Sequence, residues 1–181
     1  EDSPVYEEMQ EHLKQQGSSV KHPIRTLFKK HLRVLIISFG ACVLNAVGFY
    51  AVLTYLPNYL ETTLNYDPSA ASIITTIVLV AYIGFIFISG RISDRFGRKK
   101  MLIIACVGFI VLTIPAFILL GTKNFWVILL VELVMCLILT INDGTLSSYL
   151  TETFPTDVRY SGFALSFNLA NAIFGGSASF I

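Results

Sequence analysis

Charge is scarce in this sequence. Only 14% of its 181 residues are Asp, Glu, Lys or Arg, against about 25% in soluble globular domains. The 13 basic and 12 acidic residues nearly cancel, so no overall basic field argues for a nucleic-acid partner. Cysteine is sparse as well. Cys42, Cys106 and Cys136 each sit inside an apolar stretch without a CxxC or Cys/His spacing, and read as small core hydrophobes rather than disulfide or metal ligands. The histidines, His12, His22 and His31, all precede the first apolar block and are remote in sequence from candidate Ser or Cys nucleophiles. There is no Walker loop, which argues against an ATP-driven pump. No soluble catalytic constellation is found, so neither an enzyme nor a cofactor or metal site is expected. The chain lacks an initiating Met and a signal peptide and opens on Glu1 and Asp2 in a hydrophilic stretch; we expect a segment of a longer protein.

What the sequence has in quantity is apolar residues, 54% of the total, gathered into five blocks at about 34–60, 70–89, 101–120, 125–148 and 162–181. Spanning a bilayer takes about 20 mostly apolar residues. Backbone hydrogen bonds must close within each segment in lipid, so blocks of this length are helices. The predicted fold class is all-α, a polytopic transmembrane bundle of five spans. Pro57 frees the carbonyl of Leu53, and a bend is predicted there. Ahead of the spans, residues 1–33 are polar. Ser3-Pro4 suits a helix start, and Val5, Met9 and Leu13 recur at helical spacing before Gly17-Ser18-Ser19 interrupts them. Ile24, Leu27, Phe28 and Leu32 then share one face after Pro23. This suits an amphipathic juxtamembrane helix at the bilayer surface; a solvated linker is the alternative.

Orientation follows from Lys and Arg. Lys14, Lys21, Arg25, Lys29, Lys30 and Arg33 precede the first span, and Arg91, Arg95, Arg98, Lys99 and Lys100 fall between the second and third. The segment 61–69 has none, the next outer loop only Lys123, and the last loop Arg159. The positive-inside rule places 1–33, 90–100 and 149–161 in the cytoplasm. Phe125-Trp126 then lies at the outer edge of the fourth span, where belt aromatics belong.

Two loops are more specific. Gly90, Ser93, Asp94, Arg95, Gly97, Arg98, Lys99 and Lys100 form an ordered Gly/Asp-Arg/Gly-Arg-basic pattern. Gly90 is expected to end a helix and permit close approach of a neighbour, Gly97 to supply a tight turn, and Asp94 to accept from a nearby helix N-terminus. A plain topological hairpin would account for the basic cluster, but poorly for the ordered Gly, Asp and Gly. The second loop reads Glu152, Phe154, Pro155, Thr156, Asp157, Arg159, Tyr160, Ser161, Gly162.

These patterns resemble the signature loop of the major facilitator superfamily and the segment between the fourth and fifth helices of its C-terminal halves, in the metabolite:proton symporter branch. Asp157 departs from the frequent basic residue. The resemblance implies that the spans are helices seven to eleven of a twelve-helix protein. Residues 1–33 would end its central loop, and the N-terminal half and the last helix would lie elsewhere. It also implies that Glu152 and Arg159 face the Asp94/Arg98 loop in an ion-pair latch.

Ionisable groups inside a span are costly and usually functional. Glu132 and Asp143 lie eleven residues apart in the fourth block, about three turns, hence on one face, with Cys136 and Thr140 along or beside it. They are the candidate proton-coupling groups; a structural Glu near the outer interface and a private salt bridge for Asp143 are the alternatives. Asn142-Asp143-Gly144 is predicted to loosen its helix. Asn45, Asn142, Asn168 and Asn171, with Tyr50 and Tyr55, are candidate cavity residues; Tyr82 is a further aromatic, and Tyr59 reads rather as packing or belt. An aromatic cage would suit a quaternary ammonium. Gly175, Gly176, Ser177 and Ala178 suit close helix packing.

The expectation is a secondary transporter working by alternating access, in a bacterial inner membrane, with a small molecule and the proton as its partners. The resemblance implies symport of an osmolyte such as proline or glycine betaine. Organic-acid symport (dicarboxylate, citrate, shikimate) shares the pattern, run Ser166–Gly176 included, and a non-transporting receptor or scaffold is a further alternative.

Overall fold

The computed structural model describes residues 27–29, 31–156, 158–175 and 177. The predicted surface helix before residue 27, with His12 and His22, lies outside them, as do Asp157, Gly176 and Ala178. Of the four apolar residues placed on one juxtamembrane face, Ile24 is also outside. Leu27 is buried, whereas Phe28 and Leu32 are exposed.

The described residues form helices without strands. Helix α1 (Leu32–Tyr50) continues through a π-helical turn (Ala51–Tyr55) into α2 (Leu56–Thr62). Together they make one 31-residue span, about 46 Å long at 1.5 Å per residue, enough to cross at a tilt. The widened turn is the local answer to Pro57, which has no N–H to donate to Leu53; Leu56 N–H reaches back to the Ala51 carbonyl instead. Then come α3 (Pro68–Phe96), α4 (Arg98–Leu120), α5 (Phe125–Thr153) and α6 (Arg159–Ala170), the last followed by a π-helical segment (Asn171–Gly175).

Four of these spans are long and apolar enough to cross a membrane. The fifth apolar block is helical as far as it is described. Starts are fixed by side-chain caps. Asp67 accepts from the Ala70 N–H at 2.9 Å, and Asn124 from the N–H groups of Trp126 and Val127 at 3.0 and 3.4 Å.

Helix α5 is the axle. Half of its apolar window is buried, against 11–28% in the other three spans, because α3 and α4 pack along its length while α1 and α6 close its remaining side. Helix α4 turns Ile103, Val107, Ile110, Ile114 and Ile118 outward, the face of a helix that meets lipid. The buried apolar residues form two clusters. One gathers Val52, Leu60, Ile74, Val78, Phe109, Ile128 and Leu139; the other gathers Leu27, Leu35, Cys42, Leu146, Leu150 and Phe154. Along α5 the first ends at Leu139 and the second begins at Leu146. Thr140, Asn142, Asp143 and Thr145 lie between, so a polar layer divides the core.

Two sequence expectations are corrected. Gly90 does not end a helix: α3 runs on to Phe96, because Ser93 accepts from the Gly97 N–H and the chain turns only at Gly97, whose φ is 95°. Nor does Asn142-Asp143-Gly144 loosen α5, which is continuous from Phe125 to Thr153; packing against α3 holds the glycine in helical conformation.

Candidate functional site

The polar layer is assembled from three helices. Asn45, Tyr82 and Asp143 lie in the middle third of the spans Leu32–Thr62, Pro68–Phe96 and Phe125–Thr153. One oxygen of the Asp143 carboxylate accepts from the Asn45 side-chain amide. The other accepts from the Tyr82 hydroxyl at 2.5 Å. Asp143 is therefore held by neutral donors from two other helices, and the ion pairs among the described residues do not include it. Phe49, one turn beyond Asn45, stands edge-on to the Tyr82 ring with centroids 6.5 Å apart.

Glycine makes this meeting possible. A Cβ on Gly144 would lie 3.1 Å from both the Gly90 nitrogen and the Ile86 carbonyl oxygen. The backbones of α3 and α5 thus touch one residue from Asp143. The close approach anticipated for Gly90 is present, but Gly144 is the tighter of the two positions.

Glu132 lies about 16 Å farther along α5. It is 1% exposed, and its Oε1 has no hydrogen-bond partner among the described residues. Its surroundings include Ile128, Val131 and Met135 of the first apolar cluster. Asn142 is also fully buried, with neither side-chain polar atom partnered among the described residues. Tyr50 and Tyr55 sit elsewhere: with Phe117, Phe174 and Ser177 they line an apolar cavity of about 320 Å³, and Tyr55 stacks on Tyr59. Asn168 lines a separate groove on α6 with Tyr160, Ser161 and Leu165. Asn171 donates to the Phe167 carbonyl of its own helix at 2.9 Å. The six expected cavity residues are spread over separate parts of the structure, and Asn45 is the one that donates to Asp143. The sequence singles out Tyr82, the third member of the Asp143 site, as a further aromatic, but not its pairing with Asp143.

At the opposite end of α3 and α5 the two sequence patterns meet. Arg98 bridges Asp94 at 3.2 Å and Glu152 at 2.9 Å, tying the α3–α4 turn to the end of α5. The helix N-terminus expected to serve Asp94 is replaced by Arg98 one turn on. Arg95, also in this loop, is exposed. Arg159 does not join the described ion pairs. It is drawn instead to the freed carbonyl at the end of α5, donating to Phe154 at 3.2 Å and to the Thr156 hydroxyl at 3.4 Å. The Phe154 ring itself is buried against Gly162, where an added Cβ would lie 2.6 Å from ring carbons.

The sequence model of the Major Facilitator Superfamily matches residues 2–179. Among curated proteins, the chain is 31% identical to the glycine betaine/proline/ectoine/pipecolic acid transporter OusA of Dickeya dadantii, over 97% of the chain and 36% of that protein. It is 32% identical to the proline/betaine transporter of Salmonella typhimurium, with the same coverage. It is 31% identical to a putative proline/betaine transporter of Staphylococcus haemolyticus, over 100% of the chain and 38% of that protein. The chain thus spans little more than a third of the length of these relatives. No solved structure matches it.

Proposed function

The chain belongs to the major facilitator superfamily, a family of multi-pass membrane transporters, and on that premise we propose that it forms the C-terminal half of a proton-coupled symporter for a small osmolyte of the proline or glycine betaine kind. The observation that carries this reading is the pair of carboxylates on α5, Glu132 fully buried and Asp143 partly so. Asp143 is hydrogen-bonded at mid-span, and Glu132 lies in the apolar core with no partner for Oε1 among the described residues. A carboxylate retained at such cost marks a substrate or ion path. Glu132 is the proton-carrying group and Asp143 belongs to the substrate cavity, which is completed by an N-terminal half. Arg98, Asp94 and Glu152 form a cytoplasmic latch that parts as the two halves rock. In this reading residues 1–33, 90–100 and 149–161 face the cytoplasm of a bacterial cell, an orientation that the distribution of basic residues supports.

The relatives named as proline and betaine transporters support the osmolyte reading. Uptake of labelled proline and glycine betaine by the full-length protein in proteoliposomes, with and without an inward proton gradient, tests the reading. Gradient-stimulated uptake of either supports it. Gradient-driven uptake of an organic acid and of neither osmolyte sinks the osmolyte assignment.

A further inference from the structure

Three features converge at the middle of the α1–α3–α5 contact: a carboxylate, two neutral donors already spent on it, and a pair of aromatic rings. Asn45 and Tyr82 each hold one oxygen of Asp143. The carboxylate therefore presents charge to the remaining space with its acceptor capacity partly consumed. Phe49 stands edge-on to Tyr82 and is 44% exposed, so its ring is available at the open side of the site.

We propose that Phe49, Tyr82 and Asp143 form the ammonium subsite of this protein and that it selects N-methylated, and above all quaternary, ammonium groups over those rich in N–H. The proposal deepens the transport reading above and rests on it for the identity of the whole substrate. The chemistry is direct. A quaternary ammonium has no N–H and asks for a negative charge and an aromatic face. A primary ammonium carries three donors and asks for several acceptors, and Asn45 and Tyr82 already occupy one site on each carboxylate oxygen. A second aromatic group, Tyr50, Tyr55, Phe117 and Phe174, lines a separate cavity whose described wall residues include no carboxylate. A choline headgroup of the bilayer is not the source of the cation. Asp143 lies about 9 Å along α5 inside Tyr149, where the helix leaves the bilayer core, whereas headgroups stay at the interface.

The test uses the full-length protein, purified in a choline-free detergent, and two probes, tetramethylammonium and methylammonium, titrated by calorimetry. Tetramethylammonium is expected to bind about 10-fold more tightly than methylammonium. Asp143→Asn should abolish binding of both. Because that change also removes a network acceptor, Phe49→Leu is the decisive variant. Its side chain is partly exposed, and its loss should weaken tetramethylammonium about 3- to 10-fold and methylammonium by less. Equal affinity for the two probes, no binding of tetramethylammonium, or an unchanged affinity in Phe49→Leu overturns the subsite. Labelled glycine betaine uptake by the same preparation separates the two readings. Selective binding without uptake leaves the subsite standing and sinks the transport assignment. Uptake with unselective binding does the reverse.

Discussion

The hydroxyl of Tyr82 donates to the carboxylate of Asp143 at 2.5 Å, joining the middle of α3 to the middle of α5. In a membrane interior the two helices gain little from burying apolar surface against each other, since lipid is as apolar as they are. A polar contact at this depth therefore sets register more than it adds affinity. Tyr82→Phe should lower the stability of the full-length protein by about 1 kcal/mol, the scale of an interhelical hydrogen bond in a membrane. It should also impair uptake more than this loss explains. An unfolding titration and an uptake assay on the same sample check it; unchanged uptake would show that the bond is only structural.

Gly144 and Gly90 face each other but are not equivalent. A methyl on Gly144 meets backbone at 3.1 Å, whereas one on Gly90 meets only the Gly144 carbonyl oxygen, at 3.9 Å. Gly144→Ala should therefore push α3 from α5, cost about 1–3 kcal/mol and pull Tyr82 away from Asp143. Gly90→Ala should be tolerated. Comparable unfolding midpoints for the two variants would contradict the packing described here.

Gly162 is filled by the ring of Phe154. Gly162→Ala should destabilise by a similar amount, and adding Phe154→Leu should restore part of the loss, because the smaller side chain yields the space. A double variant no better than the single one would count against this contact.

The ion pairs of Arg98 are different in kind. Glu152 and Asp94 are mostly exposed, so screening leaves the pairs worth less than about 1 kcal/mol in stability. Arg98→Glu should leave the unfolding midpoint nearly unchanged yet increase labelling of cysteines placed on the cytoplasmic side of the cavity. Combining it with Glu152→Arg should reverse the increase in part. Labelling that is the same in all three proteins would dispose of the latch.

The sequence made the membrane spans legible because length and apolar run are local properties: four of the five blocks are long helices, and their loops carry the turn residues expected of them. It misplaced helix ends where polar residues continue a helix beyond the bilayer core, as Arg91 to Phe96 do for α3 and Tyr149 to Thr153 for α5. Glu132 and Asp143 stood out because charge in an apolar run is conspicuous. Their environments did not, since one depends on Asn45 and Tyr82, 98 and 61 residues away in the chain, and the other on the absence of any described partner for Oε1. Arg159 shows the converse limit. A motif placed it near Asp94 and Arg98, but a carbonyl freed at the end of its neighbouring helix was closer.

The most direct test of proton coupling through the carboxylates of α5 is a substrate-induced proton flux. Full-length protein is reconstituted with the membrane potential clamped, and external pH is followed on adding glycine betaine, for the native protein and for Glu132→Gln. The native protein should alkalinise the medium as substrate enters. Glu132→Gln should lose that signal while still exchanging labelled for unlabelled substrate. Substrate entry without any pH change in the native protein, or an undiminished change in Glu132→Gln, would contradict the account.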